Sequence, residues 1–209
     1  MTGGATTQGY GGRLEAIILA AGAGARFGGG KLTAPWRGGV LLDGALGSAF
    51  AAPVRRVTVV WGADARVAEA ARAFAAAADA GERLHLVHAE HHADGLSASL
   101  RAGIEALGPD CAGAFVFLGD MPKIPVAVLA RLAEALARGA LAAAPRFAGR
   151  RGHPVLFSAA LLGELTTLAG DKGAAGVLDR LGDGLVLIPA PDDGVLFDVD
   201  RPADLGGSP

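Results

Sequence analysis

Short apolar runs alternate with helix-forming stretches from one end of the chain to the other. Leu14–Ala20 (LEAIILA), Val54–Trp61 (VRRVTVVW), Leu84–His88, Ala114–Leu118 (AFVFL), Ala140–Arg146, Pro154–Phe157, Leu185–Pro189 and Val195–Val199 read as strands. Between them, Val40–Ala51, Asp64–Ala78, Ser97–Leu107, Pro125–Arg138, Ser158–Leu168 and Lys172–Leu181 read as helices. Asp64 and Ser97 suit the N-cap position, and Pro125 suits a first helical turn. Strands spaced by helices need crossover connections, so the expected fold is α/β with a mostly parallel sheet. Uninterrupted apolar strands such as AFVFL fit burial on both faces. Ligands of such sheets gather at the carboxyl ends of the strands, which directs attention to the polar residues that follow them.

Composition narrows the class further. Of 209 residues, 51% are of the AVILMFWYC set, enough for the core of one domain. A net charge of −2 argues against a general nucleic-acid binder or a polybasic membrane-surface protein. The one cysteine, Cys111, excludes an internal disulfide and a thiolate-rich metal site, and fits a reducing compartment. No apolar run approaches the ~20 residues of a membrane span. Met1–Gly12 lacks the basic start and apolar stretch of a signal peptide. The expectation is a cytoplasmic protein with tails at 1–12 and 206–209 and one domain over 13–205.

The first strand runs into LAAGAGARFGGGK, Leu19–Lys31, with five glycines, Arg26 and Lys31. Exposed amides in such a loop can surround phosphate oxygens, and glycine removes the side chains that would block them. An arginine fork and a lysine point charge both suit a polyphosphate. The loop is not a dinucleotide fingerprint, because G-x-G-x-x-G from Gly22 fails at Phe27. It is not a P-loop, because Ala25 and Leu32 break that pattern. Two acidic stretches complete the picture. FVFLGDMP delivers Asp120 to the end of an apolar strand, where one carboxylate can share Mg²⁺ with substrate phosphates. FDVDRPADL places Asp198 and Asp200 on opposite sides of a terminal strand, so only one of them can share a metal with Asp120. Asp204 reads as an ordinary helix residue. His85, His88, His91 and His92 follow no zinc pattern and read as surface histidines.

These segments resemble, in order, the motifs of the MobA-like nucleotidyltransferases. Leu19–Lys31 is similar to L-A-[AG]-G-x-[SAG]-x-R-[MF]-G-x-x-K with one extra glycine, and its LAAG start resembles the cytidylyltransferase branch. GDMP resembles the family's metal-binding G-D-[MQ]-P, and FDVDRPADL its closing D-[IV]-D-T-P-E-D-L. DGLSASL, GHPVLF and GDKGAA resemble G-[LM]-S-x-S-L, G-H-P-[VA] and G-D-x-G-A-R. The resemblance implies a Rossmann-like three-layer α/β/α nucleotidyltransferase fold. It implies nucleotide contacts from Leu19, Ala20, Ala21, Gly22, Gly24, Arg26, Lys31, Gly95, Ser97 and Ser99. Lys31, Arg26 and Asp120 carry the chemistry, and Asp120 with Asp200 holds Mg²⁺. His153, Asp171 and Lys172 fall on the acceptor side. The family arginine is Ala175 here, leaving Arg180 or Arg150 as substitutes.

The implied reaction is transfer of CMP from CTP to the phosphate of molybdopterin, with release of pyrophosphate. An acceptor molybdoenzyme or its chaperone is the implied partner, with no nucleic acid and no membrane. An ionised phosphate nucleophile needs no general base, which fits the lack of a Ser–His–Asp or Cys–His set. Rival readings are transfer from GTP or to another phosphorylated acceptor, a nicotinamide oxidoreductase, a glycosyltransferase and a cofactor carrier. The oxidoreductase needs an acidic residue ~20 positions after the loop, at the end of the second strand. Asp43 has the spacing but falls in an expected helix.

Overall fold

The computed structural model describes residues 12–170 and 173–206. The expected tails lie outside these residues except for Gly12 and Gly206. Strand β1 (Leu14–Ala20) is buried along its whole length, because its odd and even positions face two different cores. A two-stranded ribbon, β2 (Pro35–Trp36) and β3 (Gly39–Val40), leads into helix α1 (Leu41–Ala51). Then follow β4 (Arg56–Trp61), α2 (Arg66–Ala77), β5 (Leu84–His88), α3 (Leu96–Glu105), β6 (Gly113–Leu118) and α4 (Ala127–Ala137). The chain continues through β7 (Ala142–Phe147), β8 (Arg150–Arg151), β9 (Val155–Ser158), α5 (Ala159–Thr166), α6 (Ala175–Arg180) and β10 (Leu185–Pro189).

The eight-stranded sheet runs β10-β7-β9-β6-β1-β4-β5, with β8 attached to β7. β1 pairs parallel with β4 and β6, β4 with β5, and β7 with β10; β9 runs antiparallel to both β6 and β7. Leu14, Ala16 and Ile18 face the core shared with α1, α2 and α4. Ile17 and Leu19 face the core shared with α3, α5 and α6. These are the three layers expected.

Two local expectations need correction. Val195–Val199 is not a strand: Asp193–Leu196 is a 3-10 turn, and the chain beyond it is held by isolated bonds such as Val199 N–H to Asp120 O, 3.1 Å. Its apolar pattern reflects Val195 and Val199, both fully buried, rather than a ladder. Ser97 does not cap α3; Gly95 holds the N-cap at φ 104°, and the Ser97 hydroxyl is buried without a partner. Residues 146–151 form a hairpin, turned by Ala148 and Gly149, both at positive φ. That turn geometry is the one that matches strand twist. Asp64, by contrast, does accept from the Arg66 amide at the start of α2.

At the opposite end of the sheet from the glycine loop, Glu15 is fully buried. It accepts from Arg55, Arg56 and the Gly108 amide. Both arginines are about one-third exposed, so part of their charge is already hydrated. Glu15→Ala is expected to cost about 2–4 kcal/mol, somewhat below a fully buried broken pair. A urea melt checks this; an unchanged midpoint would show that the carboxylate contributes nothing net.

Candidate active site

The glycine loop leaves β1 at the centre of the sheet, and several of its residues need the left-handed region. Gly24, Gly28, Gly29 and Gly30 have φ between 61° and 92°. The amides of Phe27 and Gly29 donate to Gly24 O, which closes the loop on itself. Gly24 sits so close to Lys31 that a Cβ there would lie 3.0 Å from Lys31 Cβ. This contact returns the chain to β1 and sets the root of the lysine side chain beside the strand end.

Asp120 follows β6, the parallel neighbour of β1, and the Gly119 amide donates to Leu19 O at 3.0 Å. A side chain at Gly119 would press on Leu19 O and Leu32 at 3.2 Å. Asp200 arrives from the far end of the sequence. Its backbone is fixed by Asp204, whose carboxylate accepts from the Asp200 and Arg201 amides at 2.9 and 2.7 Å. Those bonds hold the Asp204 carboxyl below the usual carboxylate range. Asp204 is therefore a brace for Asp200, not the ordinary helix residue expected.

The side chains converge on one cation. Lys31 Nζ stands 2.6 Å from Asp120 Oδ2 and 3.7 Å from Asp200 Oδ1. Arg26 Nη1 donates to Asp200 Oδ2 at 2.9 Å. The two carboxylates, 80 positions apart, thus lie within reach of a single ammonium. Asp198 is exposed. Among the described residues no group of three or more His, Cys, Asp and Glu is placed to hold a metal ion, here or elsewhere. A pair of hard carboxylate oxygens already surrounding a positive charge suits a cation such as Mg²⁺, which draws its other ligands from phosphates and water.

Two neighbouring clefts flank the loop. One is walled by Leu19, Ala20, Gly22, Gly24, Lys31 and Asp120. The other is walled by Ala21, Gly22, His92, Gly95 and Ser99. They share Leu19, Gly22 and Leu96, so together they form a trough along the carboxyl end of the sheet. Ser97 does not line it. His92 does, contrary to its reading as a surface histidine. Its ring lies against Gly62, where any Cβ would meet it at 2.7 Å. This contact is invisible in the sequence because Gly62 and His92 are 30 positions apart.

A third cavity, of about 130 Å³, lies on the other side of Leu19 and Leu118. Its walls are apolar except for Arg151 and His153, and Ala175 is among them. Burial lowers the His153 pKa, opposed by a backbone hydrogen bond at Val116 and the charge of Asp120, and its Nδ1 is buried without a partner. The hairpin separates the adjacent arginines. Arg150 points to solvent, and Arg151 bonds Asp179 at 2.8 Å beside the cavity. Arg180 is engaged by Glu164 and Gly176. Arg151 lines this cavity together with Ala175, and neither Arg150 nor Arg180 is among its walls. Asp171 and Lys172 lie outside the described residues. Asp43 accepts from the Val40 amide at the start of α1 and is not at a strand end.

A mostly parallel sheet with a glycine loop and a carboxylate pair at its carboxyl end suits an α/β protein that handles nucleotides. The chain belongs to the MobA-like NTP transferase family, whose profile matches residues 16–185. It is 28% identical over 147 residues to molybdenum cofactor cytidylyltransferase of Escherichia coli K12, covering 69% of this chain and 70% of that protein. Among solved structures it is similar to Rv0371c of Mycobacterium tuberculosis H37Rv, with 29% identity and a TM-score of 0.74 over 92% of this chain and 95% of that one. A manganese complex of Rv0371c matches with 26% identity and a TM-score of 0.68 over 85% and 88%. A nucleotidyl transferase of Methanothermobacter matches with 25% identity and a TM-score of 0.72 over 92% and 94%. No helix among the described residues is long and apolar enough to cross a membrane.

Proposed function

We propose that the protein transfers CMP from CTP to a terminal phosphate of molybdopterin and releases pyrophosphate. The observation that carries this reading is the grouping of Arg26, Lys31, Asp120 and Asp200 at the mouth of the glycine loop. The name of the E. coli relative supports the choice of acceptor and base. In this reading the triphosphate lies over 21–31, and the ribose and base extend toward Gly95, Ser99 and His92. Lys31 and Arg26 bind phosphate oxygens and orient the α-phosphorus. Asp120 and Asp200 would hold Mg²⁺, which supplies charge neutralisation to the phosphates when bound. The acceptor lies against His153 and Arg151, with its phosphate directed at the α-phosphorus opposite the leaving group. That nucleophile is already ionised, so rate comes from positioning and from cancelling negative charge. A cytoplasmic setting and hand-over to an acceptor molybdoenzyme belong to the same proposal.

The test is pyrophosphate release and label transfer from each α-labelled NTP, with Mg²⁺ and molybdopterin. CTP is the expected donor. Absence of turnover and of binding with every NTP would remove the reading, and a preference for GTP would reassign the base. Within it, Arg151→Ala is expected to raise the acceptor KM about tenfold, the worth of one charge-assisted hydrogen bond. The CTP KM should not move, and Arg180→Ala should change neither. An acceptor KM that responds to Arg180 rather than Arg151 would reverse the assignment.

A further inference from the structure

We infer that Lys31 is a resident counter-ion that excludes the divalent cation until nucleotide arrives, so that metal and nucleotide enter together. The inference rests on the nucleotidyl-transfer reading and deepens it. Lys31 Nζ holds Asp120 Oδ2 at 2.6 Å and Asp200 Oδ1 at 3.7 Å, and its side chain is only 13% exposed. A divalent cation at Asp120 and Asp200 needs those same oxygens. A second positive charge beside the ammonium is repelled by it, less screened on the side of Asp120, about a quarter exposed, than on that of Asp200, 43% exposed. Arg26 also pairs with Asp200, but it is 78% exposed, and such pairs hold weakly. The block is therefore mainly Lys31.

A triphosphate over the loop gives the ammonium another set of anionic oxygens. When Lys31 turns to them, Asp120 loses its counter-ion and Asp200 keeps only the exposed Arg26, and the phosphates add oxygen ligands for the metal. Nucleotide thus raises metal affinity, and linkage requires the metal to raise nucleotide affinity by the same factor. Without nucleotide, the carboxylate pair stays neutralised and closed to free cations.

The test is Mn²⁺ binding to the full chain at fixed ionic strength, read from the electron paramagnetic resonance of free Mn²⁺. Wild type, Lys31→Met and Lys31→Gln are compared with and without α,β-methylene-CTP, after circular dichroism has shown them folded. Without nucleotide, at least one folded Lys31 variant is expected to bind Mn²⁺ about fivefold or more tighter than wild type, the lower end of ordinary site coupling. Adding Asp120→Asn should abolish that gain. The analogue should tighten Mn²⁺ binding more in wild type than in the variants. Equal nucleotide-free affinities, with the analogue still tightening Mn²⁺ in wild type, would overturn the counter-ion role and leave the nucleotidyl-transfer reading intact. Failure of the analogue to bind wild type at any Mn²⁺ concentration would overturn both.

Discussion

Asp120→Asn is expected to slow nucleotidyl transfer by about 10²–10³-fold while leaving the fold in place. The size follows from losing one charged group aimed at a reacting phosphate in a sheltered site. Asparagine keeps the shape and the backbone, so the bond from Val199 N–H to Asp120 O survives and the terminal segment stays docked. What disappears is the negative charge beside Lys31 Nζ and one oxygen of the carboxylate pair. Lys31 keeps Asp200 at 3.7 Å. Asp120 is about a quarter exposed, so the stability change should stay within about 1 kcal/mol. Pyrophosphate release and a urea melt on the same preparation separate the two effects. Turnover near the wild-type level would remove Asp120 from the reacting centre.

The parts of this site that follow strands were legible because the sheet itself writes them. LEAIILA and AFVFL are apolar at every position where both faces are covered, apart from Glu15, so the loops at their ends could be located by eye. Asp200 stands beside Arg26 and Lys31, although the strand assumed for that segment does not exist. The alternation of apolar and acidic residues came from Val199 packing inward, and a buried extended chain has the same period as a strand. Residues joined only by tertiary contact left no local signal. His92 needs Gly62 to reach the cleft, Asp204 needs the Asp200 amide to become a brace, and Arg151 is told from Arg150 only by the register of a two-residue turn.

Gly44 is the clearest case of such a contact, and Gly44→Ala is the second large effect expected. Gly44 lies within α1, where glycine is unfavourable by about 1 kcal/mol relative to alanine. A Cβ there would stand 2.4 Å from Pro122 O and 2.5 Å from Pro122 Cα. These are backbone and ring atoms that cannot rotate away, so helix and loop must separate by about 1 Å to reach ordinary contact. Pro122 is two residues from Asp120, whose carboxylate meets Lys31 at 2.6 Å. A displacement of that size at a reacting centre costs about 10²-fold in rate. The helical gain offsets part of the packing strain of about 1–3 kcal/mol, so stability should fall by only about 0–2 kcal/mol. Gly47→Ala, one turn along the same helix, is the control. Its Cβ would meet only Phe74 at an ordinary 3.8 Å, so it should gain about 0.5–1 kcal/mol and keep full activity. If the two variants transfer nucleotide equally well, close packing of α1 on the Asp120 loop does not position the carboxylate.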